Sequence, residues 1–222
     1  MRPVVIIMIK APRAGLVKTR LVPALAADEA AALAACFAQD VVNGAKQAAG
    51  ELIIAYSPAD GRAELEMLLQ GDLLWMEQQG AHLGERLEHA AAEAFASGFG
   101  PLIFLGADSP TLPPSFIAVA LNGLAAAEYE IALGPTQDGG YYLLGLRRFA
   151  EGLFQNVNWS TTRTYAETAR NARRLGLRLL ELPPFYDVDT YEDLLRLRTE
   201  LLSDEAAQRR APATHRWLKE KR

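Results

Sequence analysis

The chain has 222 residues, half of them hydrophobic, which suffices for one well-buried domain with at most a small appendage. A formal charge of −4 excludes global attraction to nucleic acid or to anionic lipid, so any anion binding must be local. One cysteine, Cys36, excludes a disulfide framework and a cysteine metal cluster; it lies in an Ala-rich stretch and reads as a small buried thiol.

Residues 4–9 are continuously apolar and rich in β-branched side chains, which predicts a strand buried on both faces, as in a parallel sheet. This run is too short for a signal-peptide core or a membrane span, and no other run qualifies, so a soluble, cytoplasmic protein is expected. Next comes a loop with Lys10, Pro12, Arg13, Gly15, Lys18 and Arg20 and no acid. Lys18-Thr19 after a glycine suggests a phosphate loop of the Walker type. That reading fails because Val17 stands where glycine must let the chain turn, and Pro23 falls where the helix should already run. A solvated basic loop is the plain account. Its place after the first buried strand favours phosphate binding, since diphosphates need several charge-assisted donors.

A helix capped by Asp28 is predicted to run to about Lys46. Strands at 52–56 and 73–76 flank a short helix at 63–69, and a helix follows over 83–96, with Leu83, Leu87, Ala90, Ala91 and Ala94 on one face. Residues 101–106 are another buried strand, followed by a helix from Thr111 to about Ala127. Strands at 131–134 and 141–146 meet around a turn. A helix over 161–175, a strand over 177–182 and a helix over 190–202 complete the pattern. Alternating strands and helices imply an α/β domain with a mostly parallel sheet covered on both faces, and the hairpin makes that sheet mixed. The expected division is a domain over 1–202 and a tail over 203–222, with six basic and three acidic residues and either a loose helix or no fixed structure.

In open α/β sheets ligands bind beyond the carboxyl ends of the strands. That edge collects the basic loop, then Asp108-Ser109-Pro110, then Asp187-Val188-Asp189-Thr190. Asp108 is placed to hold Mg²⁺ or Mn²⁺, or to cap the next helix. Asp187 and Asp189 alternate and point the same way in an extended segment, while Asp189 and Thr190 also suit a helix start. In Asp138-Gly139-Gly140-Tyr141-Tyr142 the glycines allow close approach of a ligand or only a tight turn. One of the two tyrosines must face away from the core if the segment is a strand. Asn158-Trp159-Ser160-Thr161 suits a helix cap with an aromatic wall. His82, His89 and His215 show no metal-ligand spacing.

These segments together resemble bacterial proteins of the nucleotide-diphospho-sugar transferase superfamily, with a Rossmann-like GT-A type sandwich, of the kind called arsenosugar-biosynthesis-type glycosyltransferases. The resemblance rests on Lys10-Ala11-Pro12 with Gly15 and Val17-Lys18-Thr19-Arg20-Leu21, on Gly84-Glu85-Arg86-Leu87, and on Gly106-Ala107-Asp108-Ser109-Pro110. It extends through Gly134-Pro135, Asp138-Gly139-Gly140-Tyr141-Tyr142-Leu143, Trp159-Ser160-Thr161 and Tyr186-Asp187-Val188-Asp189-Thr190 with Glu192-Asp193-Leu194, covering residues 4 to about 200. It implies a nucleotide over the first strand, with Lys10, Pro12, Gly15, Lys18, Arg20 and Ser109 on the nucleotide and its diphosphate. It implies Asp108 and Asp189 as ligands of Mg²⁺ or Mn²⁺, although Pro110 stands where an Asp-x-Asp motif has its second acid. Gly139, Gly140, Tyr141 and Trp159 would lie near the sugar or a small-molecule acceptor. The implied reaction is glycosyl transfer, with Asp138 as base and Lys18 on the leaving diphosphate. The basic loop also resembles that of phospholactate guanylyltransferases, which makes nucleotidyl transfer with release of pyrophosphate the alternative. A nucleotide-binding protein without turnover is the third reading. No residue carries a signature of arsenic chemistry.

Overall fold

The computed structural model describes residues 1–22 and 24–221. Pro23, which counts against a Walker-type loop in the sequence, lies outside the described residues. Seven strands are found among the described residues: β1 (Arg2–Lys10), β2 (Leu52–Ser57), β3 (Leu74–Glu77), β4 (Phe99–Gly106), β5 (Ile131–Pro135), β6 (Tyr141–Leu146) and β7 (Leu179–Glu181). They form one sheet in the order β3-β2-β1-β4-β6-β5-β7. β6 is antiparallel to both its neighbours, while the β1–β2, β1–β4, β2–β3 and β5–β7 pairings are parallel. The expected α/β domain with a mixed, mostly parallel sheet is therefore what the chain forms, and the 131–146 segment is the expected hairpin.

The continuous apolar strands follow from helices on both faces. Val5, Ile7 and Ile9 of β1 and Ile103 and Leu105 of β4 pack toward α1 (Ala27–Ala48), α2 (Arg62–Leu68) and α4 (Pro114–Ala125). Val4, Ile6, Leu102 and Phe104 face the opposite layer, α3 (Leu83–Ala96) and α5 (Thr164–Arg174). The same alternation places both tyrosines. Tyr142 joins the first layer and donates to Pro183 O at 2.9 Å, while Tyr141 packs in the second with its hydroxyl buried. Neither faces water, because a sheet covered twice has no polar face.

Helix α1 begins one residue before the expected cap. Asp28 lies in its first turn, Ala26 holds the N-cap position, and the Ala26 N–H donates to Glu29 Oε2 at 3.0 Å. The segment from 203 is helical: α7 (Glu205–Arg210) and α8 (Pro212–Glu220) follow α6 (Tyr191–Ser203). They complete a third apolar cluster, in which Leu218, Ala207 and Ala211 meet Leu33 and Phe37 of α1, Leu197 and Leu201 of α6, and Leu21, Tyr186 and Val188. This cluster lies directly beneath the loops that carry the candidate site. No described helix is long and apolar enough to cross a membrane.

Candidate functional site

The carboxyl ends of β1 and β4 lie side by side, and β1 connects onward to β2 on its other flank, so a crevice opens between the two loops. The four cations of the basic loop part company there. Lys10 donates to Leu16 O at 2.8 Å and helps fold the loop on itself. Arg13 turns away: it grips Glu64 at 2.5 Å and Asp60 at 3.1 Å, fastening the loop to the start of α2. Arg20 is exposed and makes no hydrogen bond or ion pair among the described residues.

Lys18 is the exception. Its backbone is left-handed, φ 47° and ψ 37°, a conformation that a non-glycine residue holds only where its surroundings over-determine it. The side chain is 6 % exposed and reaches back over the ring of Phe37, 5.6 Å from its centroid. Its ammonium donates to Val188 O at 2.7 Å and to Asp189 Oδ1 at 2.9 Å, and it is paired with Asp108. An ammonium has three protons, and all three are engaged. Burial pulls the Lys18 pKa down, but Asp108 and Asp189 outweigh it and hold the group above the ordinary lysine value.

The capping alternatives for the acids do not hold. Helix α4 has Pro113 at its N-cap, not Asp108. Helix α6 is capped by Thr190, whose hydroxyl accepts from Asp193 N at 3.3 Å while Asp193 Oδ2 accepts from Thr190 N at 2.8 Å. Both Asp108 and Asp189 are thus left for the crevice. Asp187 takes a third direction: its Oδ1 accepts from the Ser109 hydroxyl at 2.6 Å. Burial pushes the Asp187 carboxyl up to about 7, with the Ser109 hydrogen bond opposing and the charges of Asp108 and Asp189 adding. Ser109 is itself buried and also contacts Tyr186 O at 2.9 Å, so it clips the Asp108 loop to the Asp187 strand.

Two cavities meet at this point. The larger, about 360 Å³, is lined by Lys10, Lys18, Arg20, Asp108 and Asp189. Ser57, Gln78 and Arg86 line it too; Arg86 belongs to the Gly84-Glu85-Arg86-Leu87 motif, while Ser57 and Gln78 belong to none of the quoted motifs. Two of them lie just where the strand-end rule points, since Ser57 closes β2 and Gln78 follows β3. Gln78 Nε2 donates to Ala55 O at 2.7 Å, and Arg86 Nε donates to Gly80 O at 3.1 Å. The smaller cavity, about 100 Å³, is lined by Thr136, Gln137, Asp138, Asp187 and Thr190. Arg20 and Asp189 line both.

Asp138 stands in the smaller cavity with Oδ1 accepting from the Thr136 hydroxyl at 2.5 Å and Gly140 N at 3.1 Å. Pro12, Gly15, Ser109, Gly139, Gly140, Tyr141 and Trp159 line neither cavity. Packing of the protein itself accounts for Gly139. Gly139 has φ +87°, and a Cβ there would lie 2.1 Å from Thr162 O. Trp159 packs on the start of α3, where a Cβ at Gly84 would lie 2.3 Å from its indole nitrogen. A wider groove of about 640 Å³ runs between α1, the end of α2 and α8, but touches no strand end. Its buried acid, Asp40, is spent on the backbone N–H groups of Ala213 and Thr214, at 3.0 and 2.8 Å.

Among the described residues, no group of three or more His, Cys, Asp or Glu side chains is arranged around a common point for a metal ion. Two carboxylates, Asp108 and Asp189, do converge on one cation, the Lys18 ammonium. That donor set fits Mg²⁺ or Mn²⁺, which take one or two carboxylates and complete their shell with water and substrate phosphates.

Comparison with known proteins agrees with this fold. A crystal structure of a candidate nucleotide-diphospho-sugar transferase from Desulfovibrio desulfuricans G20 matches with a TM-score of 0.90 and 35 % identity, over 99 % of this chain and 94 % of that one. CMP:2-keto-3-deoxy-manno-octonic acid synthetase complexed with CTP matches with a TM-score of 0.59 and 14 % identity, over 91 % of this chain and 99 % of that one. Rv0371c of Mycobacterium tuberculosis H37Rv, in complex with manganese, matches with a TM-score of 0.50 and 20 % identity, over 88 % and 97 % of the two chains. The last two show likeness of fold alone. No curated protein matches the sequence. The sequence pattern of the family described as "uncharacterized protein conserved in bacteria (DUF2064)" matches residues 40–161; the chain belongs to that family and has the nucleotide-diphospho-sugar transferase fold.

Proposed function

We propose that the protein is a metal-dependent glycosyltransferase that takes a nucleotide-diphospho-sugar donor and a small-molecule acceptor. The observation that carries this reading is the junction of the two cavities at Arg20 and Asp189. A donor of this class has a nucleoside, a diphosphate and a sugar in line. The larger cavity suits the nucleoside and the smaller one the sugar and acceptor, which leaves the diphosphate at the junction beside Arg20. Its guanidinium meets no partner among the described residues, which leaves its donors for phosphate oxygens, and Lys10 lines the same cavity.

Asp108 and Asp189 would hold the metal, which when bound neutralises charge building on the departing diphosphate. Asp138 is the carboxylate assigned to take the proton of the acceptor hydroxyl. The Thr136 hydroxyl and Gly140 N–H keep it in one orientation, which is what a positioned base requires. Gln78 and Arg86 stand at the nucleoside end with their hydrogen-bonding groups already oriented by backbone carbonyls.

Nucleotidyl transfer is the second reading. The synthetase that matches in fold is complexed with CTP, a nucleoside triphosphate. The discriminating experiment is a thermal-shift screen of nucleoside diphosphates, triphosphates and nucleotide sugars, with and without Mg²⁺ or Mn²⁺. Metal-dependent stabilisation by a diphosphate and its sugar conjugate, followed by slow hydrolysis of that conjugate, is the expected result. Stabilisation by triphosphates alone, with pyrophosphate released in the presence of a phosphorylated acceptor, would establish the second reading instead. Binding without turnover of either kind would leave a nucleotide-binding protein. Arg20→Ala is expected to weaken binding of the stabilising nucleotide roughly 10- to 100-fold. The melting temperature of the ligand-free protein should hardly move, because Arg20 makes no hydrogen bond or ion pair among the described residues.

A further inference from the structure

A basic residue meant for phosphate should keep donors free for it. Lys18 keeps none. Its three protons are met by Val188 O, Asp189 and Asp108, and its side chain is buried against Phe37. The two carboxylates reach the same nitrogen from separate loops, after β4 and before α6. A cation bridging the two oxygens that Lys18 holds, Asp108 Oδ1 and Asp189 Oδ1, must occupy the space that the ammonium fills, since Mg²⁺ or Mn²⁺ would come at least as close to each oxygen. Ammonium and metal therefore exclude one another at this pair.

We propose that Lys18 is the resident cation of the Asp108–Asp189 pair and that a divalent metal gains both carboxylates only when the ammonium leaves. The inference rests on the reading of that pair as the metal site. It adds that the nucleotide-free protein binds metal poorly by construction. Lys18 keeps two facing carboxylates neutralised while no metal is bound, and its departure frees an ammonium beside the junction where the diphosphate is placed. Metal and nucleotide then support each other's binding, since each draws on the displacement of the same side chain. The left-handed backbone at Lys18 belongs to this arrangement: it turns the side chain inward, whereas Arg20, two residues on, is exposed.

The test uses the full chain and Mn²⁺ alone, with no nucleotide. Free Mn²⁺ is measured by its electron paramagnetic resonance signal during titration of the wild type, Lys18→Met, Lys18→Arg and the double variant Lys18→Met/Asp189→Asn. Expected is at least a tenfold gain in Mn²⁺ affinity for Lys18→Met over the wild type, no gain for Lys18→Arg, and loss of the gain in the double variant. A melting curve supplies a second readout. Lys18→Met should melt lower than the wild type without metal, because two carboxylates then face each other unpaired, and Mn²⁺ should restore it while leaving the wild type unmoved. Equal Mn²⁺ affinity in wild type and Lys18→Met overturns the proposal, as does a gain that survives in the double variant. Should Lys18→Met not fold without metal, refolding in Mn²⁺ but not in its absence supports the proposal, and failure in both overturns it. Since no nucleotide is present, the outcome does not depend on whether the protein transfers a sugar.

Discussion

Lys18 and Arg20 stand two residues apart in one basic loop and are put to opposite uses. One is buried and saturated, the other exposed and without a partner among the described residues. Their sequence context carries no sign of that difference, since both follow the same buried strand. The acids divide in a similar way. Alternation groups Asp187 with Asp189, yet Asp187 turns to Ser109 and is half-buried, and desolvation pushes its carboxyl up to about 7. An unfolded aspartate titrates near about 4. Between those values the folded protein holds a proton that the unfolded chain releases, so this group makes stability fall as pH rises from about 4 to about 7. Asp187→Asn keeps an acceptor for Ser109 and cannot ionise. Melting curves between pH 4 and 8 should show the variant gaining on the wild type by several degrees across that range, and a constant difference would sink the assignment. Gly139 permits an equally local check. Its φ of +87° and the 2.1 Å approach of Thr162 O to any Cβ predict a loss of about 2 kcal/mol or more for Gly139→Ala, read by urea denaturation.

At the scale of elements, much was legible in the sequence. The apolar runs located β1, β2, β4 and β6 to within a residue or two, and α3 matched end to end, because a doubly covered sheet leaves runs that no loop would carry. The caps were less legible. Asp28, Asp108 and Asp189 are all residue types that cap helices, and none of them does; Thr190 caps α6, and Ala26 and Pro113 hold the positions at α1 and α4. A cap requires a side chain to meet a particular N–H, and a shift of one residue removes it. Asp40 shows the converse. It lies in the middle of α1, where no local pattern marks it as a cap, yet it accepts from the first turn of α8 across 173 and 174 positions of chain. Asp40→Ala should cost about 1–3 kcal/mol in denaturant unfolding, and Asp40→Asn, which keeps one acceptor, distinctly less.

The whole molecule ties the site to its C-terminal helices. The apolar cluster completed by Ala207, Ala211 and Leu218 contains Leu21 and Val188, which flank Lys18 and Asp189 in the chain, and Phe37, on which Lys18 lies. A chain ending at Ser203 is expected to melt at least about 10 °C lower and to lose the nucleotide-dependent stabilisation, because the floor beneath both loops goes with the helices. Circular dichroism melts of the two forms, with and without the stabilising nucleotide, check this. The class of fold, the mixed, mostly parallel sheet and the sheet edge on which the loops gather can all be read from the order of residues. Those follow from the period of apolar residues and from the rule that parallel strands end on one side. Which charges meet depends on how the elements pack. Lys18 reaches Asp189 across 171 positions, Arg13 is spent on Asp60 and Glu64, and Ser109 and Tyr141 turn inward. A charge in a sequence has no partner until the chain brings one within hydrogen-bonding distance, and that distance is set by packing far from the charge itself.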